Sequence, residues 1–308
     1  MELSVVVPTL NGRDRLAASL DSLAAEAADT EVVVVNGPSA DGTTGMVRER
    51  DDVDVLVEIA DRCINVARNA GIAAAAGDAV AFLGFDLQVA SGWVDAIIDG
   101  LANAHAVTGP VRYGGEADHD RTEPEHRTIA GRAVNYFSGD NVAFRAATLR
   151  DALDGFDEYL KTGGARDAAH RLAGAGYSVD WQDGMLTRRE QTGDEGPGPA
   201  PMGPEEDSRE WKYRALSYRL LKNYGLRPTV VRRTLSHAAA DAAAAAKAVL
   251  DGEGSPSAWF GSGRDVLTGI ARGGSDGLIA RARDRTDARN PYGLSQRADR
   301  AVATYDWR

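Results

Sequence analysis

The 308-residue chain is 43% hydrophobic and 26% charged, enough to build a large core in one or two domains. No run approaches the ~20 uncharged apolar residues of a membrane-spanning helix, and the start MELSVVVPTLNG has neither the basic segment nor the cleavage site of a secretory leader, so secretion and membrane spanning are not expected. A single cysteine, Cys63, excludes an intrachain disulfide and a cysteine-built zinc site, and a net charge of −11 excludes a general nucleic-acid binder.

Apolar runs and amphipathic stretches alternate from the start. LSVVVP (3–8) reads as a buried strand, 13–27 as a helix, EVVVVN (31–36) as a strand and 43–50 as a short helix. VDVLVEI (53–59) is the next strand, then a helix over 64–76 closed by Gly77. AVAFLGF (79–85) follows as a strand, and 91–103 as a helix capped by Ser91. Continuous Val-rich strands alternating with helices imply a mostly parallel, doubly wound α/β sheet. Ligands bind such sheets beyond the carboxyl ends of the strands, which directs attention to 8–12, 36–43 and 84–88. The first strand runs into PTLNG rather than GxGxxG, and no GxxxxGK[ST] occurs, so a nicotinamide dehydrogenase and a P-loop enzyme are both excluded.

The ordered pieces VVVPTLNGRDRLAASLDSL (5–23), EVVVVNGPSADGT (31–43), ARNAGIAAAAGDAVAFLGFDLQVASGWVDA (67–96), SGDNVAFRAATL (138–149), GFDE (155–158) and RDAAHRLAGAGYSV (166–179) resemble the inverting family 2 glycosyltransferases over about residues 3–180. That resemblance implies the GT-A nucleotide-sugar-binding fold over 1–205, followed by a helical extension over 206–308. It places Pro8, Thr9 and Asn11 at the base and ribose, with Asn36 where the family has a base-reading aspartate, and Arg68 and Asn69 near the diphosphate and ribose. Asp-x-Asp, the family's metal motif, reads Gly84-Phe85-Asp86 here, leaving Asp86 as the ligand for Mn²⁺ or Mg²⁺. Asp41 and Gly42 fit the family's Asp-Gly-Thr step but also a plain helix-capping turn, the stronger reading. Gly164 and Ala165 stand where the family's Glu-Asp base motif belongs, so the proton acceptor is expected to be Asp167 or, second, Asp140. A phosphate acceptor is already anionic and needs no base, which keeps that chemistry open.

Residues 1–208 carry 17 basic and 36 acidic side chains, and residues 209–308 carry 18 and 10, giving −19 and +8. GDEGPGPAPMGPEED (193–207) between them reads as a mobile linker. In REWKYRALSYRLLKNYGLRPTVVRRTL (209–235), cations interleave with Trp211, Tyr213, Tyr218 and Tyr224, a pattern suited to a membrane-interface helix, to a helix over the donor diphosphate, or to one packed on the catalytic domain. Further cations follow in 281–291 and 296–300. His119 and His126 lie in an acidic loop read as solvated, and His237 is a weak candidate for a late metal ligand.

With four lysines among 35 basic residues, the composition resembles that of proteins from salt-loving archaea, and the segment 289–308 resembles the tail of haloarchaeal glycosyltransferases that assemble dolichol-linked glycans for N-glycosylation of S-layer proteins. The resemblance implies a nucleotide-sugar donor, UDP-linked first, a lipid-linked acceptor and a peripheral position on the anionic cytoplasmic membrane face. A hexuronic acid is among the sugars it suggests. Two further readings stand beside it: a base-independent enzyme that charges a polyprenyl phosphate, and a catalytically weakened scaffold or binding subunit.

Overall fold

LSVVVPT forms β1 (Leu3–Thr9) with every residue buried, as a central strand covered on both faces must be. The computed structural model describes residues 1–112, 120–189, 209–250, 256–283 and 300–308. The linker at 193–207, His119 and the whole of 284–299 therefore lie outside the described residues.

Around β1 run α1 (Arg13–Glu26), β2 (Glu31–Asn36), α2 (Thr43–Arg48), β3 (Val55–Ile59), α3 (Ile64–Ala74), β4 (Ala79–Leu83), β5 (Gln88–Val89), α4 (Trp93–Asn103), β6 (Ala106–Thr108) and β7 (Val111–Arg112). A hairpin of β8 (Glu125–Ile129) and β9 (Arg132–Tyr136) leads to β10 (Asn141–Arg145), a π-helical turn over Thr148–Leu153, α5 (Gly164–Ala175), β11 (Val179–Trp181) and β12 (Thr187–Arg188). Three helices, α6 (Arg209–Tyr224), α7 (Pro228–Leu250) and α8 (Pro256–Arg283), precede β13 (Ala301–Asp306). Among the described residues the main sheet has the order β11-β6-β10-β4-β1-β2-β3-β13, parallel through β4-β1-β2-β3 and antiparallel where β10 and β13 enter.

Alternation along the strands supplies two cores. Val6, Val33, Val35, Val57 and Phe82 point to one, shared with α3, α5 and α6; Val5, Val7, Val32, Val34 and Leu83 point to the other, shared with α1 and α4. Ser91 does not cap α4, which starts at Trp93 behind Gly92 in a left-handed conformation (φ +81°). Gly77 does not close α3, which ends at Ala74.

Residues beyond 206 share the first part's core and sheet. Tyr213, Tyr218 and Lys222 are fully buried, Leu220 and Tyr224 join the α3–α5 core, and β13 zips onto β3. Of the three roles weighed for 209–235, packing on the catalytic domain is the one that the buried aromatics of α6 take.

Gly269, Gly273 and Gly277 line one face of α8 at four-residue spacing. A Cβ there would lie 2.2, 2.1 and 2.5 Å from the carbonyl oxygens of Glu210, Arg214 and Tyr218, so α8 rests directly on the α6 backbone. At the α5–α6 seam, Lys222 Nζ sits 2.5 Å from Asp157 Oδ2 and 2.7 Å from Asp167 Oδ2, all three side chains having no solvent exposure. Tyr218 donates its hydroxyl to Asp157, and Arg171 and Asn223 donate to Asp167.

Candidate active site

The carboxyl end of β4 meets the start of β10, and two carboxylates converge there. Gly84 N–H donates to the Asp140 carbonyl at 2.9 Å, which locks the two strand ends together. A Cβ at Gly84 would lie 3.1 Å from both Asp140 Cβ and Leu87 Cδ1, so a side chain at 84 would crowd these two neighbours. Asp86 is nearly buried, with 11% of its side chain exposed, and pairs with Arg189. Burial pushes the Asp86 carboxyl up and nearby Asp140 adds to this, while Arg189 opposes both. Asp140 keeps 46% of its side chain exposed and accepts from Arg68 Nη2 at 3.2 Å.

Arg68 is buried behind this pair. Its Nη2 also donates to the Gly139 carbonyl at 2.9 Å and its Nη1 to Asn65 Oδ1 at 3.3 Å. Its Nε has no hydrogen-bond partner among the described residues. Burial lowers the affinity of Arg68 for its proton, and Asp140 counteracts that loss. Gly139 leaves room for the guanidinium, since a Cβ there would fall 2.5 Å from Arg68 Nη2 and the arginine would have to shift.

Other residues picked from the sequence lie elsewhere or do other work. Asn69 is a tether: it donates to the Phe156 carbonyl and to Glu158, both at 2.8 Å, and accepts from Phe156 N–H at 2.7 Å, holding the GFDE loop. Asn36 is 1% exposed, with Nδ2 on Thr44 and Oδ1 on Ser39, so it orders the turn after β2. Asn11, in the left-handed region at φ +50°, accepts from Ala40 N–H and ties the turns after β1 and β2 together. Pro8 is buried in β1, and the buried Thr9 hydroxyl has no partner among the described residues. Asp41 takes the capping role favoured for it, accepting from the Thr43 amide and hydroxyl and from Arg13 N–H.

Asp167 requires a correction. It lies on α5 with no exposure, held by Lys222, Arg171 Nε at 2.9 Å and Asn223 at 2.8 Å. Burial pushes its carboxyl up, but Lys222 and Arg171 outweigh that and hold it down at about 2. A carboxylate so buried and so occupied has no route to an acceptor hydroxyl, and the exposed Asp140 is left as the candidate base. Asn141, next to Asp140, is buried and spends its amide on the Pro110 and Met185 carbonyls and on Trp93 Nε1.

Among the described residues no three His, Cys, Asp or Glu side chains gather as a ready-made metal cage. Magnesium-type sites need only one or two carboxylates when substrate phosphates supply the remaining oxygens. Asp86 meets that requirement: it is a desolvated carboxylate beside a second one, and it already accepts a cation, the Arg189 guanidinium.

The mostly parallel α/β sheet, with β10 and β13 entering antiparallel, has the GT-A architecture of the nucleotide-sugar-dependent glycosyltransferases it resembles. Residues 4–156 match the profile described as Glycosyl transferase family 2, and the chain belongs to that family. Its structure is similar to S. aureus TarS 1–349 in complex with UDP-GlcNAc (TM-score 0.56, 20% identity, 74% of this chain and 68% of that one). It is also similar to the mannosyltransferase PcManGT from Pyrobaculum calidifontis in complex with GDP-Man and Mn²⁺ (TM-score 0.54, 22% identity, 92% and 86%). In sequence it is 28% identical over 206 residues to the pre-mycofactocin glycosyltransferase of Mycobacterium tuberculosis and 26% identical over 204 residues to glycosyltransferase AglE of Haloferax volcanii. Those stretches cover 59% and 60% of this chain, but 41% of the mycobacterial protein and 65% of the haloarchaeal one.

Proposed function

We propose that this chain transfers a sugar, with inversion, from a nucleotide-sugar donor to a lipid-phosphate-linked acceptor at the cytoplasmic membrane face, as one step in building a glycan for protein N-glycosylation. A UDP-sugar is the first donor to test. The observation that carries this reading is the pair of carboxylates at the β4 and β10 ends, Asp86 nearly buried and Asp140 open to solvent over Arg68. Asp140 takes the proton of the attacking hydroxyl, and Arg68, anchored on Gly139 and Asn65, sets the direction of that carboxylate. Asp86 would hold a divalent ion, which neutralises charge on the departing diphosphate when bound. The likeness to AglE over 204 residues and the composition support the pathway. No helix among the described residues is long and apolar enough to cross a membrane. Exposed Leu226, Val231 and Leu235 beside Arg227 and Arg232 support contact with an anionic surface.

Thermal shift in concentrated KCl with UDP, GDP and dTDP, with and without Mn²⁺ or Mg²⁺, tests the donor, because a ligand selective for the folded state raises its melting temperature. One nucleotide should give a metal-dependent shift that Asp86→Ala removes; silence with every nucleotide refutes the reading. Burial of Asp167 also favours a second reading, base-independent transfer to a lipid phosphate itself. Asp140→Asn separates the two, lowering hydroxyl transfer by ~10²–10⁴-fold while sparing phosphate transfer.

A further inference from the structure

A cavity of about 470 Å³ opens between the β8–β9 hairpin, the start of α5, and helices α6 and α7. It shares no lining residue with the Asp86–Asp140 pair. Arg127, Arg166, Lys212, Arg219 and Arg233 line it against one carboxylate, Glu125. Glu125 is spent on Arg166, with contacts of 3.1 and 2.9 Å, and Lys212 pairs with Asp241 at 2.6 Å. Arg219 and Arg233 have no carboxylate within 4 Å among the described residues, and the buried Arg219 Nε has no hydrogen-bond partner there. Burial and the neighbouring cations push the Arg219 guanidinium down to about 10, a cost that an anion in the cavity would remove.

Two further features fit an anion. The amino terminus of the twelve-residue α5 faces the cavity through its N-cap, Gly163, which supplies no side-chain cap to the first amides. Gly163 also makes room for Arg219, since a Cβ there would lie 2.7 Å from Arg219 Nη1. The space exceeds a bare phosphate, and Leu216 and Leu220 give it an apolar wall. Tyr136 and Glu125 continue it into a second cavity reaching Ser138, two residues from Asp140. Ile129 and Arg233 continue it the other way into a third, beside Arg227 and Pro228, next to exposed Leu226 and Val231.

We infer that this cavity is a second anion site, separate from the donor cleft, that takes the phosphate or diphosphate ester of an amphipathic acceptor, with the apolar part of that molecule leaving past the start of α7 and its reacting end directed toward Asp140. The acceptor role rests on the proposed glycosyl transfer; the anion site stands without it.

Full-length protein in concentrated KCl is titrated with inorganic pyrophosphate, with geranylgeranyl phosphate and geranylgeraniol in detergent micelles, and with UDP plus Mn²⁺. The wild type should bind pyrophosphate saturably and the lipid phosphate more tightly, with geranylgeraniol far weaker. Arg233→Gln, on the rim, and Arg219→Gln should each weaken both anions by about tenfold, the loss of one charge-assisted hydrogen bond, and leave UDP binding unchanged. Pyrophosphate binding without added affinity for the lipid phosphate would overturn the amphipathic assignment and leave a free-phosphate site. Binding displaced by UDP, unaffected by both variants, or equally strong for the alcohol would overturn the anion site itself. UDP binding that fails while the arginine-dependent anion binding persists would instead sink the proposed donor chemistry alone.

Discussion

Replacing Lys222 by Met should destabilise this protein more than any change to a surface ion pair. Lys222, Asp157 and Asp167 are all fully buried, and the ammonium is shared between the two carboxylates at 2.5 and 2.7 Å. Asp167 retains Arg171 and Asn223 after the substitution, but Asp157 keeps only the Tyr218 hydroxyl and its local amide contact. Stranding a buried charge in this way costs about 3–5 kcal/mol, a large part of the ~5–15 kcal/mol that holds a typical fold. At about 2 °C per kcal/mol for a chain of this size, the melting temperature should fall by roughly 6–10 °C. Lys212→Met is the control: its pair with Asp241 is exposed (60% and 38%), and such pairs contribute under about 1 kcal/mol.

The sign of the pH response tells the mechanism. Burial pushes the Asp157 carboxyl up, with Asp167 adding and Lys222 opposing. Without Lys222, Asp157 should be protonated in the folded state, so the variant regains stability as pH falls through that raised value. Asp157→Asn added to Lys222→Met should recover part of the loss at neutral pH. Thermal melts by circular dichroism in concentrated KCl measure all of these. A Lys222→Met shift no larger than that of Lys212→Met would refute the idea that this cluster fastens α6 to the catalytic core.

Three further outcomes are expected. Gly273→Ala places a Cβ 2.1 Å from the Arg214 carbonyl oxygen, where backbone has to move, and should cost about 1–3 kcal/mol in a thermal melt; an unchanged Tm would mean α8 does not sit on α6 as described. Asp167 titrates in the fold at about 2, below its unfolded value of 3.8, so its contribution is complete above about pH 4 and lost as pH falls toward 2. Asp167→Asn should flatten that acid limb of a stability-against-pH curve, and a limb of unchanged steepness would assign it to other carboxylates. Asn69→Ala leaves the buried Phe156 N–H and C=O without their partner and should cost about 2–3 kcal/mol, read by urea melts; a loss below about 0.5 kcal/mol would show that the GFDE loop holds itself.

The strand and helix pattern up to residue 103 was legible, the two-residue β5 apart, because each run repeats one period. EVVVVN is β2 to the residue, and β1, β3 and β4 differ from their expected bounds only at the ends. Asp86 was picked because it follows a strand in a known motif, and Asp140 because SGDN leads into β10. The sequence does not show that Asp140 comes to lie against position 84, a contact made only when β4 and β10 pair. Asp167 was misread for a related reason. An acid in the first turn of a helix looks exposed, and only the return of α6, carrying Lys222 from 55 positions away, buries it. The α8 glycine stripe was the missed signal, since four-residue spacing of Gly269, Gly273 and Gly277 is visible in the sequence. The end of the chain was read as part of a family-like tail over 289–308, and its residues Ala301–Asp306 form a strand because the outer edge of β3 gave them a partner.

That outer strand bears on how the molecule assembles. β3 is the apolar segment VLVEI, and β13 is what satisfies its outer hydrogen-bonding edge, with Arg308 reaching Glu31 across 277 positions. Contacts so distant along the chain form late, after the loop-closure entropy of everything between them has been met. During that interval an unprotected hydrophobic edge is a template for strand addition by a second nascent molecule. Aggregation during refolding should therefore compete with β13 docking, and a synthetic peptide of residues 300–308 added in excess should suppress it by occupying the edge first.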